Sequence, residues 1–168
     1  MLNWLINWIR CTRYNHALEH ATLHLLQQRY PNMPMLGFSD GRGITFYSRL
    51  KAEEILPALH AAQEQLRNGA SDLAIHPHCG TNLVSAATLT ALSTWLALAS
   101  TERRSWLNRL SRAILFNIFA LWIAPSLGTW MQAHVTTDAA LPPVTITALL
   151  ADAWGNQQRL RVNLRYSL

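Results

Sequence analysis

Charge is what this sequence has least of. Only 14% of its 168 residues are charged, while half are apolar; soluble domains carry about 25% charged residues. The deficit is local. No Asp, Glu, Lys or Arg occurs from Leu73 to Thr101, and none from Ala113 to Thr137. Two such stretches exclude an ordinary soluble surface over much of the second half. Lysine is nearly missing too: Lys51 is the only one, so the net charge of +5 is an arginine charge. Those arginines are scattered, with no basic face interleaved with aromatics, which argues against a nucleic-acid partner. Cysteine is limited to Cys11 and Cys79, too few for a disulfide scaffold. A single bridge would need an oxidising compartment; two thiols is the simpler expectation. No cleavable signal is expected, because the apolar run Met1 to Ile9 is short, has no basic residue before it and no small-residue cleavage site after it. Internal repeats and low-complexity linkers are also missing.

The charge-free stretches meet the length of about 18 to 20 apolar residues that spans a bilayer. The second carries Ile114, Leu115, Phe116, Ile118, Phe119, Leu121, Trp122 and Ile123, with Pro125 as a kink and Trp130 at an interface position. The first is rich in Ser and Thr: Ser85, Thr88, Thr90, Ser93 and Thr94. Membrane helices tolerate hydroxyls that bond to backbone or to a neighbouring helix, so this stretch needs the second span, or another copy of the chain, beside it. Arg103, Arg104, Arg109 and Arg112 lie between the two, where a basic cluster suits anionic lipid. The expected partner is therefore the bilayer, and the expected location a multi-pass place in the cell's inner membrane. A soluble helical hairpin buried in a larger assembly is the competing reading. Orientation stays open. The basic loop favours a cytoplasmic loop with both polar ends outside, whereas a missing signal favours the reverse.

The remaining chain reads as a small α+β domain. A helix begins near Leu2 or at Asn15 and stops at Tyr30-Pro31-Asn32. Two short apolar runs, 35–38 and 44–47, flank Ser39-Asp40-Gly41-Arg42-Gly43 and predict a β-hairpin. A second helix spans Ala52 to Arg67, with Glu53 and Glu54 in its first turn. Leu73-Ala74-Ile75-His76 predicts a third strand. In the tail, Leu160, Val162, Leu164 and Tyr166 alternate with Arg159, Arg161, Asn163 and Arg165, a half-buried strand that pairs with the 144–150 segment. The expected architecture is thus an α-β-β-α-β domain (1–82), a two-helix transmembrane hairpin (83–133, helices about 83–100 and 113–131) and a C-terminal β-hairpin (134–168) packing on the first domain. Trp4 and Trp8 share a helix face, which suits either a membrane interface or core packing.

Six of the seven histidines fall in the first 80 residues. His16, His20 and His24 are spaced by four, so on a helix they form one stripe with Glu19 beside it. Two imidazoles at i and i+4 reach one zinc ion. His16-Ala-Leu-Glu19-His20 also matches H-x-x-E-H, the short signature of inverted zinc peptidases, in which the glutamate activates a metal-bound water. That match covers five residues, and the chain is too short for the two-lobed chamber of such enzymes. A second cluster, His76-Pro77-His78-Cys79, offers imidazole and thiolate, the ligands zinc prefers. The expected ligands are His16, His20 and His76, with Cys79 or His24 fourth, His78 in reserve, and Glu19 as general base or support. The bland alternative makes these a helix surface and a strand end. Cys79 before Gly80 at a helix start also suits a nucleophile or, with Thr81 and Asn82, an anion cradle, although no P-loop lysine is present. His60 reads as helix surface, and His134 follows the second span.

His16-Ala-Leu-Glu-His-Ala-Thr-Leu-His24 and His76-Pro-His-Cys-Gly-Thr-Asn82, followed by two hydrophobic stretches and His134-Val-Thr-Thr137, resemble a bacterial family of uncharacterised membrane proteins classed only as a domain of unknown function. The resemblance runs from about Asn15 to the tail. It implies a membrane location and a histidine-rich N-terminal domain, and no activity. The acidic segment that the resemblance implies after His134-Val-Thr-Thr is reduced here to Asp138. Function is therefore expected to be either a metal-dependent hydrolase or a non-enzymatic membrane protein stapled by metal, with zinc the expected ion by its ligand chemistry.

Overall fold

The computed structural model describes residues 2–99 and 106–167, the side chain of Leu2 excepted. Glu102, Arg103 and Arg104, part of the expected basic loop, lie outside the described residues. The chain divides into two compact units: Met1–His76 with Ala133–Leu168, and Pro77–Gln132.

The first unit is a four-stranded antiparallel sheet with two helices. Helix α1 spans Leu2–Arg29, strand β1 Leu36–Asp40, β2 Gly43–Ser48, and helix α2 Ala52–Arg67; strands β3, Val144–Trp154, and β4, Gln157–Tyr166, come from the far end of the chain. The sheet order is β1-β2-β4-β3. The tail strand therefore pairs with the N-terminal hairpin, Ile44 against Val162 and Phe46 against Leu160. The alternation seen in the tail sequence holds, for Leu160, Val162, Leu164 and Tyr166 are all buried. They meet Leu18, Leu26, Ile55 and Leu59 from the helices in one core. Such burial of apolar side chains is the main stabilising term of a domain this size.

Local chemistry explains the turns. Asp40 accepts hydrogen bonds from the Arg42 and Gly43 amides at 2.7 and 3.1 Å and from Arg161 at 2.8 Å. Partial burial raises its carboxyl, but these donors outweigh burial and hold it below the usual range. Gly43 is required because a β-carbon there would overlap the Val162 carbonyl. Glu54 accepts from the Lys51 amide at 2.9 Å and fixes the start of α2.

One expected element is different. Leu73–His76 is not a strand; Ser71–Ala74 is a 3-10 turn and Ile75 and His76 continue it as coil. The reason is where its backbone acceptors go. The carbonyls of Ala74 and Ile75 bond to His20 and His24 of α1, so they are not available to a sheet ladder. Trp4 is 68% exposed, which removes core packing as its explanation.

The second unit is a helical hairpin of α3, Gly80–Leu98, and α4, Trp106–Met131, with a π turn over Gln132–Thr136 after it. Both helices are long and apolar enough to cross a bilayer. Small residues line the buried face of α4: Ala113, Ala120, Ala124 and Gly128. They let the helix backbones approach closely. Polar side chains bridge the pair. Ser93 donates to Asn117 at 2.9 Å, Asn117 donates to Thr94 at 2.8 Å, and Gln132 donates to Asn82 at 2.7 Å. Arg112 donates to the Ala97 carbonyl at 2.6 Å, satisfying the end of α3. The hydroxyls behave as expected of an apolar setting: Ser85 and Thr90 bond back to the carbonyls of Thr81 and Ala86. Outward, large apolar side chains remain uncovered, among them Trp95, Leu96, Ile118, Phe119 and Trp122.

Candidate metal centre

The histidine stripe of α1 faces the 3-10 turn and the segment after α4, and each imidazole is held by a backbone carbonyl. His16 Nδ1 lies 3.0 Å from the Thr136 carbonyl. His20 Nδ1 lies 2.6 Å from that of Ala74, and His24 Nε2 lies 2.7 Å from that of Ile75. A carbonyl only accepts, so the ring nitrogen against it carries the proton. The lone pair is then on Nε2 in His16 and His20, and on Nδ1 in His24. Metal-ligating histidines are held in this way, with the other ring nitrogen donating to a carbonyl or carboxylate.

His76 joins the same cluster. Its Nε2 is 3.2 Å from Gln27 Oε1. Ring centroids are 4.3 Å apart for His16 and His20, 5.6 Å for His20 and His76, and 4.7 Å for His24 and His76. The ligand atoms of His16 and His20 lie within 4.8 Å of each other. Two imidazoles on one tetrahedral ion have centroids about 5 Å apart, given Zn–N bonds of about 2.0 Å. His20 and His76 are buried, at 2% and 4% exposure, so the cluster is not a solvated helix surface.

Glu19 sits one residue from His20 and is itself buried. It packs against β1: a β-carbon on Gly37 would stand 2.5 Å from Glu19 Oε1. Burial pushes its carboxyl above the usual glutamate range; His16 and a hydrogen bond from Ser39 pull it down without cancelling that effect. A buried carboxyl beside imidazoles holds and releases a proton nearer neutral pH than one in water.

The structure thus brings His16, His20, His24, His76 and Glu19 together in the first unit. His78 and Cys79 belong to the second, joined to His76 through Pro77. Cys79 caps α3, its Sγ accepting from the Thr81 amide at 3.4 Å. The backbone amide of Asn82 bonds to the Cys79 carbonyl, so two amides of the expected anion cradle, those of Thr81 and Asn82, are engaged within the cap. Neither cysteine is in a disulfide. His60 is exposed on α2, as expected. The carbonyls of Ala74, Ile75 and Thr136, with Gly37 and Ser39, were not identified from sequence. Only the His134-Val-Thr-Thr segment gave a hint, and its contribution is a backbone oxygen.

A family model described as a domain of unknown function, DUF6391, matches residues 11–149. An uncharacterised protein of Picosynechococcus sp. is 34% identical over 146 residues, covering 77% of this chain and 67% of the relative. No solved structure matches. The family match takes in the histidine stripe, the His76–Asn82 segment, both apolar helices and the start of β3, and the chain belongs to the DUF6391 family.

Proposed function

We propose that this chain is a two-span membrane protein whose polar unit holds a transition-metal ion, zinc by ligand chemistry, close to the bilayer. The observation that carries the metal reading is the carbonyl clamp. His16 and His20 both donate Nδ1–H to fixed backbone oxygens, which orients two Nε2 lone pairs at i and i+4. His76 is the third ligand of this reading. Cys79 or His24 is the fourth; Cys79 is three residues along the chain from His76, a reach of at most about 10 Å. The membrane reading is supported by the two long apolar helices, their small-residue packing and their uncovered apolar exteriors. Gly80 opens α3 four residues after His76, so the metal-bearing segment runs directly into the first span.

The test is metal content. Wild-type protein purified without chelator should carry close to one equivalent of zinc, and His16→Ala with His20→Ala should lose it. Less than a tenth of an equivalent of any transition metal in folded wild-type protein would end the metal reading.

A second reading, hydrolysis, is favoured by the buried Glu19. His16, His20 and His76 would hold the ion, which would supply Lewis-acid activation of water, and the Glu19 carboxylate would take up the proton that attack on an acyl carbon releases and return it to the leaving amine. Glu19→Gln should retain metal and abolish turnover. If metal only staples the domain, that variant keeps both the fold and the cellular role.

A further inference from the structure

β3 carries a bulge that changes which of its side chains share a face. Its register against β4 breaks between Ile146 and Ala148. Side chains alternate along a strand, so Ile146 and Leu149, three residues apart, would otherwise point to opposite faces. With the extra residue inserted, Ile146 lies opposite Leu164 and Leu149 opposite Val162. Both of those partners are buried in the core under the helices. Val144, Ile146 and Leu149 therefore form one apolar stripe on the helix side of the sheet, as a bulge that re-aims a side chain allows. The stripe is not closed over: Val144 and Ile146 are half-buried and Leu149 is 45% exposed.

Beside the stripe runs a groove of about 470 Å³ with α2 as its other wall, a size within the range of about 300–1,000 Å³ of small-molecule sites. Leu56, Leu59, His60, Gln63 and Arg67 follow one another at three- and four-residue steps and make one face of α2. That face is graded. Leu56 and Leu59 line the apolar groove, whereas His60 and Gln63 line both the groove and a polar recess that Glu64 and Arg67 complete. The two spaces are continuous through His60 and Gln63, apolar at one end and charged at the other, along about 16 Å of helix. Glu64 and Arg67 are exposed, and among the described residues neither is in an ion pair.

This gradient selects the occupant. A free ion would leave the apolar end wet, and an apolar helix or strand would leave the charged end unmatched. An amphiphile satisfies both ends. The opposite charges of Glu64 and Arg67, less than one turn apart, suit a head that carries a phosphate and an amine. We propose that the α2–β3 groove binds a single-chain phospholipid, its acyl chain along Leu59, Ile146 and Leu149, its phosphate at Arg67 and its amine at Glu64. The groove shares no residue with the histidine cluster, so the proposal stands or falls apart from the metal reading.

The test is photolabelling of the full chain in dodecyl maltoside, a detergent with an uncharged head. The probe is lauroyl lysophosphatidylethanolamine with a diazirine on its acyl chain, and the label is mapped by peptide mass spectrometry. Label should concentrate on 56–63 and 144–149. Unlabelled lysophospholipid should displace it at about fivefold lower concentration than lauric acid or dodecanol, a modest margin because exposed ion pairs are weak. Glu64→Gln with Arg67→Gln, both at exposed positions, should bring the three competitors within about twofold of one another while the label stays in place. Leu149→Gln should lower labelling about tenfold with little change in Tm. Label spread equally onto Leu36 and Phe38, exposed apolar residues of β1, overturns the proposal, as does label confined to α3 and α4. Displacement by lauric acid or dodecanol as readily as by lysophospholipid overturns it too. So does labelling of the groove that rises on dilution of the protein, since a second copy is then the occupant.

Discussion

At Glu19 the fold buries a carboxyl that any exposed helix position would have left in water. Desolvation disfavours its charged form, and neither His16 nor Ser39 restores the ordinary value. The consequence for stability has a definite sign. A glutamate whose folded pKa is raised holds its proton more tightly in the native state than in the unfolded one. Its contribution is fully present below the unfolded value, about 4.3, and is lost as pH rises through the folded value. In metal-free protein, the Glu19 contribution to thermal stability should therefore fall as pH rises above about 4, opposite in sign to that of Asp40. Glu19→Gln, which cannot ionise, should flatten that fall and raise Tm at neutral pH. Melting curves by circular dichroism across pH 4 to pH 8 read it; parallel curves for the two proteins would contradict the buried-carboxyl account. The histidines and Glu19 were legible in the sequence because side-chain spacing on a helix is periodic. Their partners were not. A backbone carbonyl has no residue identity, so nothing in Ala74, Ile75 or Thr136 marks them as acceptors.

Among the elements, the α3–α4 hairpin shows how a weakly apolar helix is made acceptable. Ser93 is turned to α4, and Thr90 and Ser85 back to the carbonyls of α3 itself. A close approach is at Gly128, where a β-carbon would overlap the Asn82 side chain. Gly128→Leu should force the helices apart and cost on the order of 1–3 kcal/mol, the usual range for overpacking. A matched change on the uncovered face, Trp122→Leu, should cost little. Thermal melts in detergent compare the two, and equal Tm values would refute the packing order. Sequence showed where α3 lies, to within a few residues, because charge-free length is easy to read; α4 begins at Trp106 rather than the expected 113, because the helix continues through the charged Arg109 and Arg112 that bounded the charge-free stretch. Sequence did not show the 3-10 turn at Ser71–Ala74. There local apolar character suggested a strand, and the imidazoles of α1 decided otherwise.

For the whole molecule, the chain order and the spatial order differ. The first unit is closed by strands that come 60 residues or more after its helices: β4 lies between β2 and β3, and Tyr166 donates to Asn15 at 2.7 Å across the core. The apolar hairpin is thus inserted into a domain that both chain ends complete. Sequence alternation predicted the tail strand and its pairing with 144–150, but could not assign its neighbour on the other side, since pairing between distant segments leaves no local mark. An insertion of this kind is removable if its two ends are near each other. His76 is in ring contact with His20, and Thr136 bonds to His16, which is in ring contact with that same His20. A Gly/Ser linker of about eight residues spans roughly 15 Å as a flexible coil, enough for that separation. Replacing Pro77–Gln132 by such a linker should give a soluble α+β domain that melts cooperatively and retains the β2–β4 pairing in nuclear magnetic resonance spectra, while the full chain stays with membranes. The exposed apolar residues at the start of α1, Trp4, Leu5, Ile6 and Ile9, make some self-association expected, and trimming that turn should relieve it. A spliced domain that remains unfolded after trimming would show that the hairpin is part of the fold rather than its membrane attachment.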